Sequence, residues 1–166
     1  FSKSYNNLGN TLNRLRLSAK AVTSYNMGIK CQPNFFEAYS NLGKALNDRG
    51  QHNQAIISLH KALAINSDHA ETYNNLGNAL NDIGNYKEAV NCYDKAIELK
   101  PNYASAYSNK NLALNYSSSF SKTFIFEQHM KFGSQFDEKK ITPSLNFISD
   151  KITNRRLRVG YVSPDF

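Results

Sequence analysis

The punctuation of residues 70–103, AETYNNLGNALNDIGNYKEAVNCYDKAIELKPNY, returns 34 residues upstream and again 34 residues before that. Tyr5, Tyr39 and Tyr73 align, as do Leu8-Gly9, Leu42-Gly43 and Leu76-Gly77, and then Ala21, Ala55 and Ala89. Pro33 and Pro101 close two copies, and Ser67 takes that place in the middle one. A unit this short cannot bury a core by itself, so copies must stack on one another, and the chain has to be read as an array.

Within one copy the spacing is helical. Tyr73, Leu76, Gly77 and Leu80 mark one apolar face, and Ala89, Val90, Tyr93, Ala96, Ile97 and Leu99 mark a second. Gly84-Asn85 separates the two helices and Pro101 ends the second. Gly77 and Ala89 lack bulk where the helices must approach, and Tyr73 and Tyr93 fill the space beside them. A period of 34 with an aromatic, then Leu-Gly, then Ala, an aromatic and a terminal Pro resembles the tetratricopeptide (TPR) repeat. The resemblance implies an all-α, right-handed α-solenoid with a grooved inner surface.

Taken in order, residues 2–35, 36–69 and 70–103 are three full copies. Phe1 stands where Phe35, His69 and Tyr103 close other copies, so the chain is expected to begin inside a longer array. A fourth copy opens in register with Ala104, Tyr107 and Asn109, but Lys110-Asn111 replaces Leu-Gly. Residues 104–136 therefore read as a degenerate repeat and helical cap, with Phe124, Ile125, Gln128, Phe132 and Phe136 along one face of a last helix. Periodicity fades over 137–154, a linker by composition. Leu157-Arg158-Val159-Gly160-Tyr161-Val162-Ser163, within 155–166, has the pattern of a β-strand.

The formal net charge of +7 raises the question of nucleic acid. Lys3, Arg14, Arg16, Lys20 and Lys30 stand without an acid in the first copy, whereas the second balances and the third is acidic. No continuous basic stripe results, and the aromatics occupy repeat positions rather than alternating with cations, which argues against nucleic-acid binding. No apolar run reaches membrane-spanning length. Cys31 and Cys92 lie in different copies without metal-type spacing, as reduced thiols in a cytoplasmic protein would. His52, His60, His69 and His129 show no ligand spacing either, so neither a metal site nor a catalytic constellation is expected.

The candidate binding residues are amides. Asn7, Asn41, Asn75 and Asn109 each precede the Leu-Gly place of their copy; Asn10 and Asn78 lie one turn on, with Lys44 between them in the array. Asn13, Asn47, Asn81 and Asn115 make a third row. Equivalent places on first helices form a line along the inner groove of a solenoid. A column of carboxamides there supplies donors and acceptors for the backbone of an extended peptide. The competing reading is that these amides bond between repeats and serve packing.

The order of parts, a TPR array, an irregular cap, a polar linker and then RRLRVGYVSPDF, resembles protein O-GlcNAc transferases and their SPINDLY-type relatives. That resemblance implies that residues 155–166 open a Rossmann-like glycosyltransferase domain, and that the asparagine column recognises acceptor proteins. The parent enzyme would use UDP-GlcNAc as donor substrate to modify Ser/Thr hydroxyls. Its catalytic and nucleotide-binding residues would lie past Phe166, so residues 1–166 alone should be inactive and hold no cofactor. The alternative is a non-catalytic TPR adaptor for extended peptides, and self-association through the repeats stays open under both readings.

Overall fold

A computed structural model describes residues 1–136; the predicted linker and strand at 137–166 lie outside the described residues. Eight helices and no strand occur among the described residues: α1 (Ser2–Arg14), α2 (Ser18–Cys31), α3 (Phe36–Asn47), α4 (His52–Ile65), α5 (Ala70–Asp82), α6 (Tyr86–Leu99), α7 (Ala104–Tyr116) and α8 (Lys122–Phe136). The all-α solenoid expected from the 34-residue period is what forms.

The first three hairpins turn in the same way. Leu17, Gln51 and Asn85 each donate a backbone N–H to the carbonyl five residues back, that of Leu12, Leu46 and Leu80, all at 2.9 Å. The residue at the left-handed position is Gly50 (φ 74°) and Gly84 (φ 81°) in two copies, and Arg16 (φ 61°) in the first. This is a Schellman-type end, in which the freed carbonyls of a first helix are recaptured by the turn. Arg16 makes the same turn without the conformational freedom of glycine.

Close approach within each hairpin depends on the Gly of Leu-Gly. A Cβ built on Gly77 would lie 2.5 Å from Tyr93 Cε1; one on Gly9 would lie 2.4 Å from Tyr25 Cε1, and one on Gly43 2.5 Å from Leu59 Cγ. Tyr25, Leu59 and Tyr93 are essentially fully buried in those spaces. With Ala21, Ala55 and Ala89 they form part of one continuous apolar core.

Neighbouring hairpins engage asymmetrically. Consecutive first helices touch (α1 with α3, α3 with α5, α5 with α7), and each second helix packs on the next first helix (α2 on α3, α4 on α5, α6 on α7). The second helices α2, α4 and α6 do not reach one another. The array therefore curves toward its first helices, which line the inner side.

The fourth hairpin is built differently. Lys110, in the leucine place, is buried; its ammonium pairs with Asp94 Oδ1 at 2.6 Å and donates to Gln128 Oε1 at 2.9 Å. No residue of α8 is fully buried. It rests instead on an aromatic cluster, Phe132 and Phe136 against Tyr107 with ring centroids 6.1 and 5.3 Å apart, and on Gln135 Nε2 donating to the Pro101 carbonyl at 2.6 Å.

Candidate functional site

Helix pitch puts residues i, i+3 or i+4 and i+7 of a first helix on one face. On α5 that face carries Glu71, Asn75, Asn78 and Asp82, and on α3 it carries Glu37, Asn41, Lys44 and Asp48. Stacking first helices side by side joins such faces into a groove. One depression of about 510 Å³ is lined by Asn6 and Asn10 from α1, Glu37, Ser40, Asn41 and Lys44 from α3, and Glu71 and Asn75 from α5, with His69 and Tyr103. A second, of about 280 Å³, is lined by Asn47, Asn78, Asn81, Asp82, Tyr93, Asn109 and Leu112.

Five of the six predicted amides thus line the groove, Asn10, Asn41 and Asn75 in the first depression and Asn78 and Asn109 in the second. Asn7 is exposed on α1 and lines neither.

The amides also bond between and within repeats, the use that competed with peptide binding. Asn41 Nδ2 donates to Asn6 Oδ1 at 2.9 Å, and Asn109 Nδ2 donates to Asn74 Oδ1 at 3.1 Å and Asn78 Oδ1 at 3.0 Å. The acceptors Asn6 and Asn74 stand one place before the column and are buried. They are the residues that sequence reasoning passed over, although the Asn-Asn doublets at 6–7 and 74–75 were a legible signal. In the middle copy Ser40 holds this place and accepts from Thr72 Oγ1 at 2.8 Å.

The Asn10 and Asn78 row has a partner in the second helix. Tyr25 donates its hydroxyl to Asn10 Oδ1 at 2.9 Å, and Tyr93 donates to Asn78 Oδ1 at 2.8 Å. Where the tyrosine is replaced by Leu59, the asparagine is replaced by Lys44, so the two positions change together. Burial, then the charge of Asp48, pushes the Tyr25 phenol up to about 12, and burial, then Asp82 and Cys92, pushes Tyr93 up as well. Both hydroxyls stay protonated donors at neutral pH, which orients the amides they hold.

The third row is tied in differently in each copy. Asn47 Nδ2 donates to Asp82 Oδ2 at 2.7 Å while its Oδ1 faces His52 Nδ1 at 2.8 Å, and Asn115 Oδ1 faces His129 Nε2 at 3.3 Å. Asn81 Oδ1 is buried with no hydrogen-bond partner. No group of three or more His, Cys, Asp or Glu that could hold a metal occurs among the described residues. No helix among them is long and apolar enough to cross a membrane. Cys31 and Cys92 are both free, Cys31 exposed and Cys92 half-buried.

Three tetratricopeptide-repeat families match the chain, over residues 24–57, 43–84 and 70–103. No curated protein matches it in sequence. Among solved structures the chain is similar to an O-GlcNAc transferase from Thermobaculum terrenum, with a TM-score of 0.76 and 22% identity over 81% of this chain and 26% of that one. It is similar to the MamA protein, with a TM-score of 0.75 and 26% identity over 89% of this chain and 79% of that one. It is also similar to the first TPR of Spaghetti bound to an HSP90 peptide, with a TM-score of 0.67 and 20% identity over 69% of this chain and 90% of that one. The chain thus spans about a quarter of the transferase it resembles. Repeat matches from 24 to 103 and the observed stack of helical hairpins lead to one conclusion: the chain carries tetratricopeptide repeats arranged as an all-α solenoid.

Proposed function

We propose that the groove across α1, α3, α5 and α7 holds an extended segment of a partner protein by its backbone, and that the chain is the acceptor-recognition region of a UDP-GlcNAc-dependent protein O-glycosyltransferase. The observation that carries the first part is the polar lining of the groove by equivalent amides from successive first helices. Packing uses one end of several amides, the Nδ2 of Asn41 for example, and an amide has a second end for a ligand. The second part rests on the order of parts, a TPR array before RRLRVGYVSPDF, and on the division into repeats (2–35, 36–69, 70–103), cap (104–136), linker (137–154) and catalytic entry (155–166).

An adaptor without catalysis is the second reading, and the likeness to the TPR of Spaghetti, which holds an HSP90 peptide, favours it. A clamp for a carboxylate tail needs converging cations. The first depression offers Lys44 beside Glu37 and Glu71, a mixture better suited to a peptide backbone than to an anionic terminus.

Replacing Asn41 and Asn75 together by Ala should weaken binding of an extended Ser/Thr-rich peptide by about 1–3 kcal/mol, since each net hydrogen bond is worth about 0.5–1.5 kcal/mol. Fluorescence anisotropy and far-UV circular dichroism on the same samples test this; unchanged affinity, or a collapse of helicity, would reassign the amides to packing. The enzymatic part is tested by assaying the product of the complete gene for transfer from labelled UDP-GlcNAc to a peptide hydroxyl, residues 1–166 alone being expected to transfer nothing. Absence of transfer by the complete product would leave the adaptor.

A further inference from the structure

The second depression differs from the first in charge and in what it leaves unpaired. Asp82 is the only ionised side chain in its lining, and no Lys or Arg joins it there. One Asp82 oxygen is held by Asn47 Nδ2, and the other remains for a ligand. The Tyr93 hydroxyl is spent on Asn78, and Asn109 spends its Nδ2 on Asn74 and Asn78.

Asn81 borders the same depression with a buried carboxamide oxygen that no donor meets. The repeat register explains why. One copy earlier, the equivalent Asn47 is satisfied at both ends, by His52 and by Asp82. Moved forward 34 residues, those two partners become Tyr86 and Tyr116, which stack on each other at 5.9 Å and serve Asn81 at neither end. A buried acceptor without a donor is disfavoured, and a turn of the Asn81 amide toward the depression lets an incoming N–H recover it.

We infer that the depression between α5 and α7 is a subsite for one basic side chain, Arg or Lys, of the segment bound in the groove, with Asp82 as its counter-charge and Asn81 Oδ1 as a further acceptor. Its volume of about 280 Å³ suits a single side chain; small-molecule pockets run about 300–1,000 Å³. A cation with several donors satisfies both the free carboxylate oxygen and the orphan amide, which a neutral apolar side chain cannot do. The assignment rests on the groove reading proposed above.

The test uses the 1–166 chain and a fluorescein-labelled Ser/Thr/Pro peptide with one central Arg, against the same peptide with Gln in that place. The Arg peptide should bind about fivefold more tightly, a preference that added salt reduces, because Asp82 is partly exposed. Asp82→Asn keeps an acceptor for Asn47 and should bring the Arg peptide to the affinity of the Gln peptide while leaving the latter unchanged. Equal binding of the two peptides by the unsubstituted chain overturns the subsite, as does a preference that survives in Asp82→Asn. A separate NMR titration with N-acetyl-arginine amide, using the norleucine derivative as control, reads the side-chain amide of Asn81 without needing a peptide. A shift there for the arginine compound alone, with no binding of either peptide, keeps the subsite and removes the peptide-groove reading; no shift and no peptide binding removes both.

Discussion

The third hairpin, α5–α6, and the fourth, α7–α8, start from the same register and end as different objects. In the third, Gly77 admits the Tyr93 ring against the α5 backbone, and Leu76, Ala89 and Val90 are buried around it. In the fourth, Lys110-Asn111 occupies the Leu-Gly place and both side chains are buried. Asn111 has a Cβ where Gly77 has none, so no ring can lie against α7 as Tyr93 lies against α5. Lys110 brings a charge into the interface, answered by Asp94 from the preceding hairpin and Gln128 from α8. The second helix then rests on its partner through half-buried aromatics and polar ties, with no fully buried residue. Two residues thus separate a helix that propagates the core from one that ends it.

The widest gap should appear on truncating the aromatics. Tyr93→Ala removes a fully buried ring and should cost about 3–5 kcal/mol, whereas Phe132→Ala, on the half-buried face of α8, should cost about 1 kcal/mol. Urea unfolding followed by circular dichroism measures both, and equal losses would mean that the cap is packed as tightly as a repeat. Solenoids unfold by parts, so the transition for Phe132→Ala should split before its midpoint moves.

A smaller effect, of opposite sign in the two hairpins, should follow from giving each a methyl group. Gly77→Ala puts a Cβ 2.5 Å from Tyr93 Cε1, in a ring that is too buried to move. Overpacking of about 1–3 kcal/mol should outweigh the gain of about 1 kcal/mol in helix propensity. Gly133→Ala meets nothing within 4 Å and should keep that gain, raising the stability of α8 by about 0.5–1 kcal/mol. Hydrogen exchange at α8 amides would resolve this, and a loss there would show that α8 is held more closely than its exposure indicates.

The smallest expected change lies in the first turn. Arg16 adopts φ 61° where the second and third turns use glycine, so Arg16→Gly should stabilise the first hairpin by about 1 kcal/mol or less, with the wider freedom of glycine in the unfolded chain offsetting part of the relief. A thermal melt that falls instead would mean that the Arg16 side chain contributes more to the first hairpin than its backbone costs.

Much of this architecture was legible before any coordinate. Recurrence of Tyr, Leu-Gly and Ala at 34 residues specified hairpins, their number and their stacking, because helix period and the space a glycine leaves are local matters that each copy states again. The departure at Lys110 was equally visible, being a break in a pattern. The role of each amide was not. A row of asparagines announces a line of polar groups, but whether an Oδ1 meets a tyrosine, a histidine or nothing depends on which residue a different hairpin brings to it. Asn47 and Asn81 occupy the same register position, and only the packed array shows one satisfied at both ends and the other with an orphan oxygen. Periodicity is a property of the chain, whereas hydrogen-bond satisfaction is a property of contacts between copies about 31–35 residues apart, and only tertiary packing decides those.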